Sequence, residues 1–495
     1  MRRSPVDLRL AVVAAAAWTT AAVLMPMSVH RAVGTAGAGI VVAALAMQRR
    51  RRWVSAAAIG VAGGAAVLAV HAAALHTGPV ARLAPARSHV EVQLRLVRDP
   101  VTVRSHSGRR LVVADATATA VRRPGGEWRS DRAPVVVFAV DSSWVGLLPG
   151  QRVDVGARLA PPRRGDTVAA VLVAAGPPRV LGRPPMWQRS AGAVRSGLRA
   201  AVLPLPPDER GLVPGLVLGD VSQMPTTLST AFRVTGLAHL TAVSGANVAI
   251  VLGTVMAALR WSGAPRWVRP AVGVAALLGF VVLVRPSPSV LRAAVMGAVV
   301  LAAGMTGRRS RALPAVSAAV LGLVMVDPFL ARSPGFAMSV FATTAIVTLA
   351  PAWTVRLARV MPRPIAAAVA VPAAAQLACT PVIVAVFGQL TPYAVPANLL
   401  AAPAVAPATL AGIGCALAGV GWPGAAAVLA WAAGLPTAWL VIVARTFAGL
   451  PGAGLPWPTG MRGLLLLCGS AAAGTTAVWS IARLLRHAIL GRCPV

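Results

Sequence analysis

The chain has 495 residues, of which 57% are hydrophobic and only 12% are charged, and its mean hydropathy is +0.73. Soluble globular proteins carry about 25% charged residues, so this composition excludes that class and indicates a multi-spanning membrane protein. The sequence contains no lysine, and its 47 arginines against 13 acidic residues give a formal net charge of +34. This excess of arginine is typical either of the cytoplasmic loops of membrane proteins or of a protein that binds a polyanion. Composition alone does not distinguish these two explanations.

Residues 1–77 are predicted to form three transmembrane helices. Their apolar stretches cover residues 10–29, 32–47 and 54–75, and the first is too long for the core of a typical signal peptide. Four consecutive arginines occupy residues 49–52, and Arg2 and Arg3 lie at the N-terminus. The positive-inside rule places these arginines in the cytoplasm, so the third helix is expected to end on the outer side.

Residues 78–190 have the pattern of a small β domain. Apolar and polar residues alternate in five short segments separated by turns that contain glycine or proline, at residues 89–96, 111–119, 135–140, 152–159 and 169–174. Five strands in about a hundred residues predict an OB-like barrel inserted on the extracytoplasmic side, although the pattern does not fix the topology. The segment holds 18 arginines and 8 acidic residues, which fits a polyanion-binding surface or an ordinary solvated one.

The remainder of the chain is predicted to be a linker and a helical core. In the linker, residues 191–235, the apolar segment 211–218 is too short to span a membrane and indicates an interfacial or re-entrant helix. Residues 236–495 contain about nine apolar segments, which gives about 12 spans for a polytopic α-helical membrane protein of the cell membrane. Both termini are predicted to be cytoplasmic, because arginines concentrate in the loops assigned to that side. These arginines are Arg260, Arg266, Arg269, Arg308, Arg309, Arg311, Arg356, Arg359, Arg363, Arg483, Arg486 and Arg492.

Residues 239–248, with the sequence HLTAVSGANV, place several polar side chains at the start of an apolar segment. In a continuous helix, His239, Ser244 and Asn247 would share one half of the surface with Thr241. Gly245 could instead permit a break that frees backbone groups. Polar groups at membrane depth line a water-filled path or the interior of a helix bundle, and interhelical hydrogen-bonded packing is the alternative.

Two arginines and one aspartate of the predicted helical core, with one aspartate of the linker, are further candidates for a polar functional site. Arg285 and Arg292 flank a Pro-Ser-Pro-Ser segment, where they could form a positive constriction for phosphates or could be arginines that snorkel from helix ends. Asp220 and Asp327 are the only acids after residue 209. Asp220 is expected to pair with Arg233 or Arg292, and Asp327 is expected to be a turn residue at a helix end.

The string at residues 239–248 resembles the signature of the ComEC competence family, His-Leu-x-Ala-[Val/Ile]-Ser-Gly-x-[His/Asn]-Val. The likeness covers most of residues 210–415, and the order of N-terminal spans, basic β domain and helical core is also similar to that of the family. The supporting segments are Leu218-Gly219-Asp220, Ala231-Phe232-Arg233, Thr235-Gly236, Pro288-Ser289, Arg292-Ala293, Asp327-Pro328, Gly335-Phe336, residues 376–381 and Asn398-Leu399-Leu400.

The resemblance implies an inner-membrane channel that takes up single-stranded DNA during natural transformation. By position, it implies a channel site formed by Asp220, His239, Ser244, Gly245, Asn247, Arg285 and Arg292. It also implies that the β domain binds DNA through phosphate-binding arginines and an aromatic platform. The candidate residues there are Arg95, Arg98, Arg104, Arg109, Arg110, Arg122, Arg123 and Trp128, with Trp144 as a second aromatic. A core role for either tryptophan is the alternative.

No catalytic or metal site is predicted. The seven histidines form no HxH pair, and the four cysteines are isolated, with no CxxC spacing. Many members of the resembled family continue into a metallo-β-lactamase-like domain, and the chain is interpreted as a form without it, with no cofactor. A chain without lysine has no Walker motif, so the energy must come from a partner.

The resemblance therefore implies several partners, namely single-stranded DNA, the bilayer, a helix-hairpin-helix DNA receptor, a separate nuclease and a cytoplasmic motor, in an assembly that could be oligomeric. Two other hypotheses are open. The first assigns the same arginines to binding a different substrate, and the second assigns them no binding role. One is a transporter or flippase for another anionic polymer or lipid-linked substrate, and the other is a membrane scaffold that conducts nothing.

Overall fold

The computed structural model describes residues 8–25, 29–104, 108–163, 166–285, 288–305 and 312–490. The chain divides into two compact units, of which the first comprises Met1–Thr226, His239–Phe336 and Pro403–Val441. The second comprises Thr227–Ala238, Ala337–Ala402 and Ile442–Val495. Some of the arginines used for the predicted orientation lie outside the described residues, namely Arg2, Arg3, Arg308, Arg309, Arg311 and Arg492.

Each of the three N-terminal apolar stretches forms a helix: α1 is Arg9–Leu24, α2 is Val29–Gln48 and α3 is Arg52–Thr77. Glycines on α3 allow α1 to approach closely. A Cβ atom added to Gly60 would lie 2.4 Å from the carbonyl oxygen of Val13, and one added to Gly64 would lie 2.5 Å from that of Ala17. Small residues at helix interfaces are the usual means by which membrane helices pack, so this contact fits the predicted environment.

A short helix, α4 (Pro79–Leu83), leads into a β-barrel. Its strands are β1 (His89–Leu96), β2 (Val101–Arg104), β3 (Arg110–Arg122), β4 (Arg129–Ala139), β5 (Arg152–Ala160), β6 (Ala170–Ala174) and β7 (Arg179–Val180). The five main strands follow the order β1-β3-β4-β6-β5, and β5 pairs back onto β1 to close the barrel. All of these pairs are antiparallel except β4 with β6. This is the arrangement of an OB-type barrel, so the predicted barrel is confirmed.

The interior of the barrel is filled by the inward-pointing side chains of its strands, along which buried and more exposed residues alternate. On β1, Val90, Val92, Leu94 and Leu96 are buried, and the residues between them point outward. Trp144, in a 3₁₀ turn after β4, is fully buried in the same core, and its indole nitrogen donates to the carbonyl oxygen of Gly176 at 3.4 Å. The hypothesis that Trp144 is an exposed stacking platform is therefore wrong, and its alternative, a core role, is confirmed.

In the described part of the chain, eight helices of 4–18 residues follow the barrel up to residue 326. They are α5 (Met186–Ala201), α6 (Pro207–Leu218), α7 (Thr226–Val234), α8 (Ala238–Thr241), α9 (Gly245–Trp261), α10 (Val268–Val284), α11 (Pro288–Met305) and α12 (Ala312–Val326). After a 3₁₀ turn at Pro328–Arg332 come α13 (Pro334–Thr348), α14 (Ala350–Leu357), α15 (Arg363–Phe387), α16 (Ala394–Ala418), α17 (Pro423–Ala448) and α18 (Gly460–Leu490). Two short strands, β8 (Gln389–Leu390) and β9 (Leu455–Pro456), pair with each other.

Five helices within the described residues are long and apolar enough to cross a membrane: α2, α3, α15, α16 and α17. The pair α13 and α14, bent by 45°, would make a sixth if it forms one span. Shorter apolar helices, including α1, α9, α10 and α12, have 10–17 residues. These helices confirm a polytopic membrane protein, whereas the count of about 12 spans stays a prediction.

Two helix ends of the first unit meet the barrel directly. Just after α3, the backbone amide of Val80 donates to the carboxylate of Asp131 on β4 at 2.8 Å. Just after α12, the side chain of Phe329 packs against the barrel core. Asp327 begins this turn and accepts a hydrogen bond from the amide of Phe329 at 3.0 Å, which confirms its predicted role. The C-terminal ends of α3 and α12 therefore lie on the same face, the one that carries the barrel.

Candidate functional site

The polar string at residues 239–248 is divided between two helices. Helix α8 ends at Thr241 and α9 begins at Gly245, with Ser244 in an extended conformation between them (φ −106°, ψ 170°). His239 and Gly245 are exposed, and Ser244 is half-buried. The structure thus has the helix break that Gly245 was predicted to permit, not the continuous helix.

Asn247 is buried just beyond this break, with 3% of its surface exposed. Its side-chain amide donates to the carbonyl oxygen of Leu216 at 2.8 Å. Leu216 lies in the last turn of α6, where carbonyl groups lack the amide donor of a following turn. The amide of Asp220 bonds to Pro214 instead, at 3.2 Å. Asn247 therefore satisfies a helix-end carbonyl and ties α9 to α6, as the interhelical packing alternative requires.

Asp220 follows the end of α6 and is 8% exposed. Its carboxylate accepts hydrogen bonds from Arg199 Nε on α5 and from the hydroxyl of Ser222, both at 2.7 Å. The predicted partners, Arg233 or Arg292, are therefore wrong. Burial raises the pKa of Asp220, but the hydrogen bonds from Ser222 and the charge of Arg199 outweigh it, so the pKa lies below its usual range.

Arg285 follows the end of α10 and forms a two-pronged ion pair with Asp99, which lies between β1 and β2. Its Nη2 and Nε atoms lie 2.9 and 3.0 Å from the two carboxylate oxygens, and its Nη1 donates to the side chain of Gln188 on α5. The backbone of Arg285 has a φ of +76°, a conformation that is strained for any residue except glycine. Since its side chain is only 10% exposed, this pair fixes a buried guanidinium at the end of α10.

Arg195, on α5, is the second arginine at Asp99, with 3.5 Å between Nη2 and the carboxylate. It also donates to the carbonyl oxygens of Leu218 at 3.3 Å and Leu283 at 3.1 Å, at the ends of α6 and α10. Burial lowers the pKa of Arg195, and the charge of Asp99 opposes this effect. We call Asp99, Gln188, Arg195 and Arg285 the arginine clasp, because together they join the barrel to α5, α6 and α10.

Sequence reasoning found Arg285 but missed the other three residues of the clasp. Arg195 and Arg199 are one helical turn apart on an amphipathic helix, and this spacing was the signal available in the sequence. Because the clasp links Arg285 to Asp99, the C-terminal end of α10 meets the barrel, as the C-terminal ends of α3 and α12 also do.

Arg292 lies in the first turns of α11 and is 3% exposed. Its Nε and Nη1 atoms are buried and have no hydrogen-bond partner in the described part of the chain. The turn that carries it contacts the helix break, because the hydroxyl of Ser289 donates to the carbonyl oxygen of Val243 at 3.1 Å. A Cβ atom on Gly245 would lie 3.7 Å from that of Ala293. The helical turn that carries Arg292 thus lies beside the break, and none of the described residues provides this arginine with a counter-charge.

The candidate arginines of the barrel fall into two groups. Arg98 pairs with Asp115 at 3.4 Å, and Arg122 pairs with Glu91 while its guanidinium carbon lies 4.6 Å from the centre of the Trp128 ring. Trp128 is 37% exposed. The second group is exposed and consists of Arg95, Arg109, Arg110 and Arg123. Arg104 pairs through its backbone with Arg110 in the β2–β3 hairpin. Arg98 and Arg122 are therefore already engaged by acids.

Comparison with known proteins gives one family and one relative. The family model described as Competence protein matches residues 216–482, which is more than half of the chain. ComE operon protein 3 of Bacillus subtilis (strain 168) is 29% identical over 213 residues, which cover 42% of this chain and 27% of that protein. The chain thus covers little more than a quarter of the length of this relative. No solved structure matches the chain. The matched region contains the helix break, Asp220, Asn247, Arg285 and Arg292, and it excludes the barrel.

Proposed function

Because the chain belongs to the Competence protein family, we propose that it forms a membrane channel for the uptake of single-stranded DNA during natural transformation. The observation that carries this proposal is the family match over residues 216–482, which contains the polar helix break among apolar helices. A role in competence DNA uptake follows from the family, and conduction of a single strand is our proposal. The proposal assigns no catalytic step to this chain.

The orientation that we propose places the barrel outside the cytoplasm. The C-terminal ends of α3, α10 and α12 meet the barrel, so the opposite ends of these helices lie on the other face. Arginines are concentrated at those opposite ends, at residues 49–52 before α3 and at Arg260 and Arg266 before α10. The positive-inside rule then supports a cytoplasmic position for that face. We propose the same side for both termini from the arginines in their sequences alone.

We propose that the barrel receives the DNA. OB barrels bind single strands by combining a positive groove with aromatic side chains on which bases stack. Here Arg109, Arg110 and Arg123 are exposed, and Trp128 presents a partly exposed ring. Phosphates would bind the free arginines first, because Arg98 and Arg122 would have to leave their carboxylate partners.

In the membrane core, His239, Ser244 and Gly245 are the proposed path-lining residues, since they lie at the break and retain exposure. Asn247 and Asp220 hold the helices around it through their hydrogen bonds to Leu216 and Arg199. A helix-hairpin-helix receptor, a separate nuclease and a cytoplasmic motor are the proposed partners.

Vesicles that contain the purified full chain, with a complementary oligonucleotide trapped in the lumen, test this function, because hybridisation inside supplies the driving force that a partner would otherwise provide. Fluorescent single-stranded DNA added outside should become resistant to added nuclease at a rate that depends on the amount of protein, whereas double-stranded DNA of equal length should stay accessible. Empty vesicles and vesicles with an unrelated membrane protein provide the background. A rate no higher than this background, with the protein shown to be folded, would refute the proposed channel.

A further inference from the structure

Arg292 carries a buried positive charge for which the core provides no carboxylate. The only acids after residue 209 are Asp220 and Asp327, and both are engaged, Asp220 with Arg199 and Asp327 with the amide of Phe329. Among the described residues, no ion pair or hydrogen bond to Arg292 is found. Removing a charge from water without a partner is unfavourable, so this position favours an anion from outside the chain.

The N-terminal turn of α9, which lies near the first turns of the helix that carries Arg292, offers further donors. Ser244 precedes the helix but its side chain forms no capping hydrogen bond, and in the described region no acceptor is found for the amides of Gly245 and Ala246. Both residues are exposed. The first amides of a helix, together with its dipole, favour negative charge, and α9 has 17 residues.

Contacts between α11 and the break bring these two features together. The hydroxyl of Ser289 on α11 donates to the carbonyl oxygen of Val243, and Ala293 lies near enough to Gly245 that a Cβ atom added there would be in van der Waals contact with it. The backbone of Arg292 therefore belongs to the helical turn that packs on the start of α9. Arg285 differs, because its guanidinium is neutralised by Asp99, so the two arginines do not form an equivalent pair.

We propose that Arg292 and the N-terminal turn of α9 bind a phosphate group, and that this group is a phosphodiester of the transported strand. The identity of the ligand rests on the proposed function. Arginine presents a planar fork that matches two oxygens of a phosphate, and its Nε and Nη1 atoms are the two without a partner. Backbone amides at Gly245 and Ala246 would bind a further oxygen, so the strand is held at the break through its backbone, independent of base sequence.

The test measures amide hydrogen exchange of residues 244–250 in the full chain in lipid nanodiscs. A single-stranded oligothymidylate at about ten times its dissociation constant should slow exchange there roughly tenfold. An oligomer of the same length with an uncharged methylphosphonate backbone should not slow it. Inorganic phosphate alone is the third probe. Protection by inorganic phosphate but not by the oligonucleotide would overturn the assignment to the strand.

Variants separate binding from structure. Arg292→Gln should abolish the protection, Arg292→Lys should retain part of it, and Arg266→Gln, in an exposed loop, should leave it unchanged. Arg292→Gln should also unfold at the same temperature as the unmodified chain or higher, because it removes a buried unpaired charge. A lower unfolding temperature would assign Arg292 a structural role and overturn the proposal.

Transport into vesicles distinguishes this inference from the proposed function. If the unmodified chain and Arg292→Gln take up DNA equally, and the oligonucleotide gives no protection, the phosphate site is wrong and the channel stands. If the oligonucleotide protects residues 244–250 but the unmodified chain takes up no DNA, the site is supported and the channel is wrong.

Discussion

Substitution of Asp99 by alanine removes the carboxylate that Arg285 and Arg195 share. The two arginine side chains are only 10% and 9% exposed, and the Asp99 side chain is 26% exposed. Loss of one partner from a buried ion pair costs about 3–5 kcal/mol, because the other charge is left unpaired. Water reaches Asp99 in part, so we expect the loss at this junction to be about 2–4 kcal/mol.

A double-mutant cycle isolates the pair. Asp99→Ala, Arg285→Ala and the double variant should give a coupling energy of at least about 1.5 kcal/mol, since residues in direct contact are not additive. The barrel offers a matched control in Arg98 and Asp115, whose side chains are 54% and 40% exposed and lie 3.4 Å apart. The same cycle there should give less than about 1 kcal/mol.

The free energies are best measured locally, because a protein of two units is not expected to unfold in one step. Hydrogen exchange of the turn that contains Asp99 reports its opening free energy directly. If the coupling at Asp99 and Arg285 is no larger than that at Arg98 and Asp115, the arginine clasp is a surface pair and does not join the barrel to the helices.

Three further predictions concern the break, the linker and the orientation. Asn247→Leu leaves a buried carbonyl without its donor, so it should lower stability by roughly 1–3 kcal/mol, with DNA uptake falling only as protein abundance falls; loss of uptake at normal abundance would contradict this packing role. The pKa of Asp220 is lowered, so its stabilising contribution is present above about pH 4 and is lost as pH falls through the pKa of the folded state. Thermal unfolding between pH 6 and pH 3 should therefore show a steeper loss for the unmodified chain than for Asp220→Asn, and equal slopes would show that the pair with Arg199 is not linked to protonation. In a background without the native cysteines, an impermeant thiol reagent should label Glu127→Cys in intact cells and Arg266→Cys only after permeabilisation, and the reverse pattern would invert the orientation.

The barrel was predictable because its strands alternate with a period of two. The predicted strand at residues 89–96 coincides with β1, and the other four predicted strands overlap β3, β4, β5 and β6. β2 was missed because it has only four residues in a segment rich in turns, and β7 because it has two. The closure of β5 onto β1 depends on tertiary pairing, which a local pattern does not contain.

The site was less predictable than the barrel. Asp99 and Arg285 are 186 positions apart, and nothing in either local sequence identifies the other as its partner. The partner of Asn247 is a backbone carbonyl, a group that every residue has, so its choice depends on where α6 ends. The helix break itself was indicated by Gly245 among polar residues, because polar groups at membrane depth need a reason to be there.

The small number of acids explains why the break keeps its positive charge. Of the 13 acidic residues, Asp99 and Asp220 join α5 to the barrel and to α6, and Asp131 and Asp327 accept backbone amides at the helix ends that meet the barrel. These four acids thus serve at the places where elements of the first unit are joined. Neither of the two acids after residue 209 pairs with Arg292, and the described residues provide no other partner for its guanidinium. An anionic polymer passing this point would supply, one phosphate at a time, the counter-charge that the described residues do not provide.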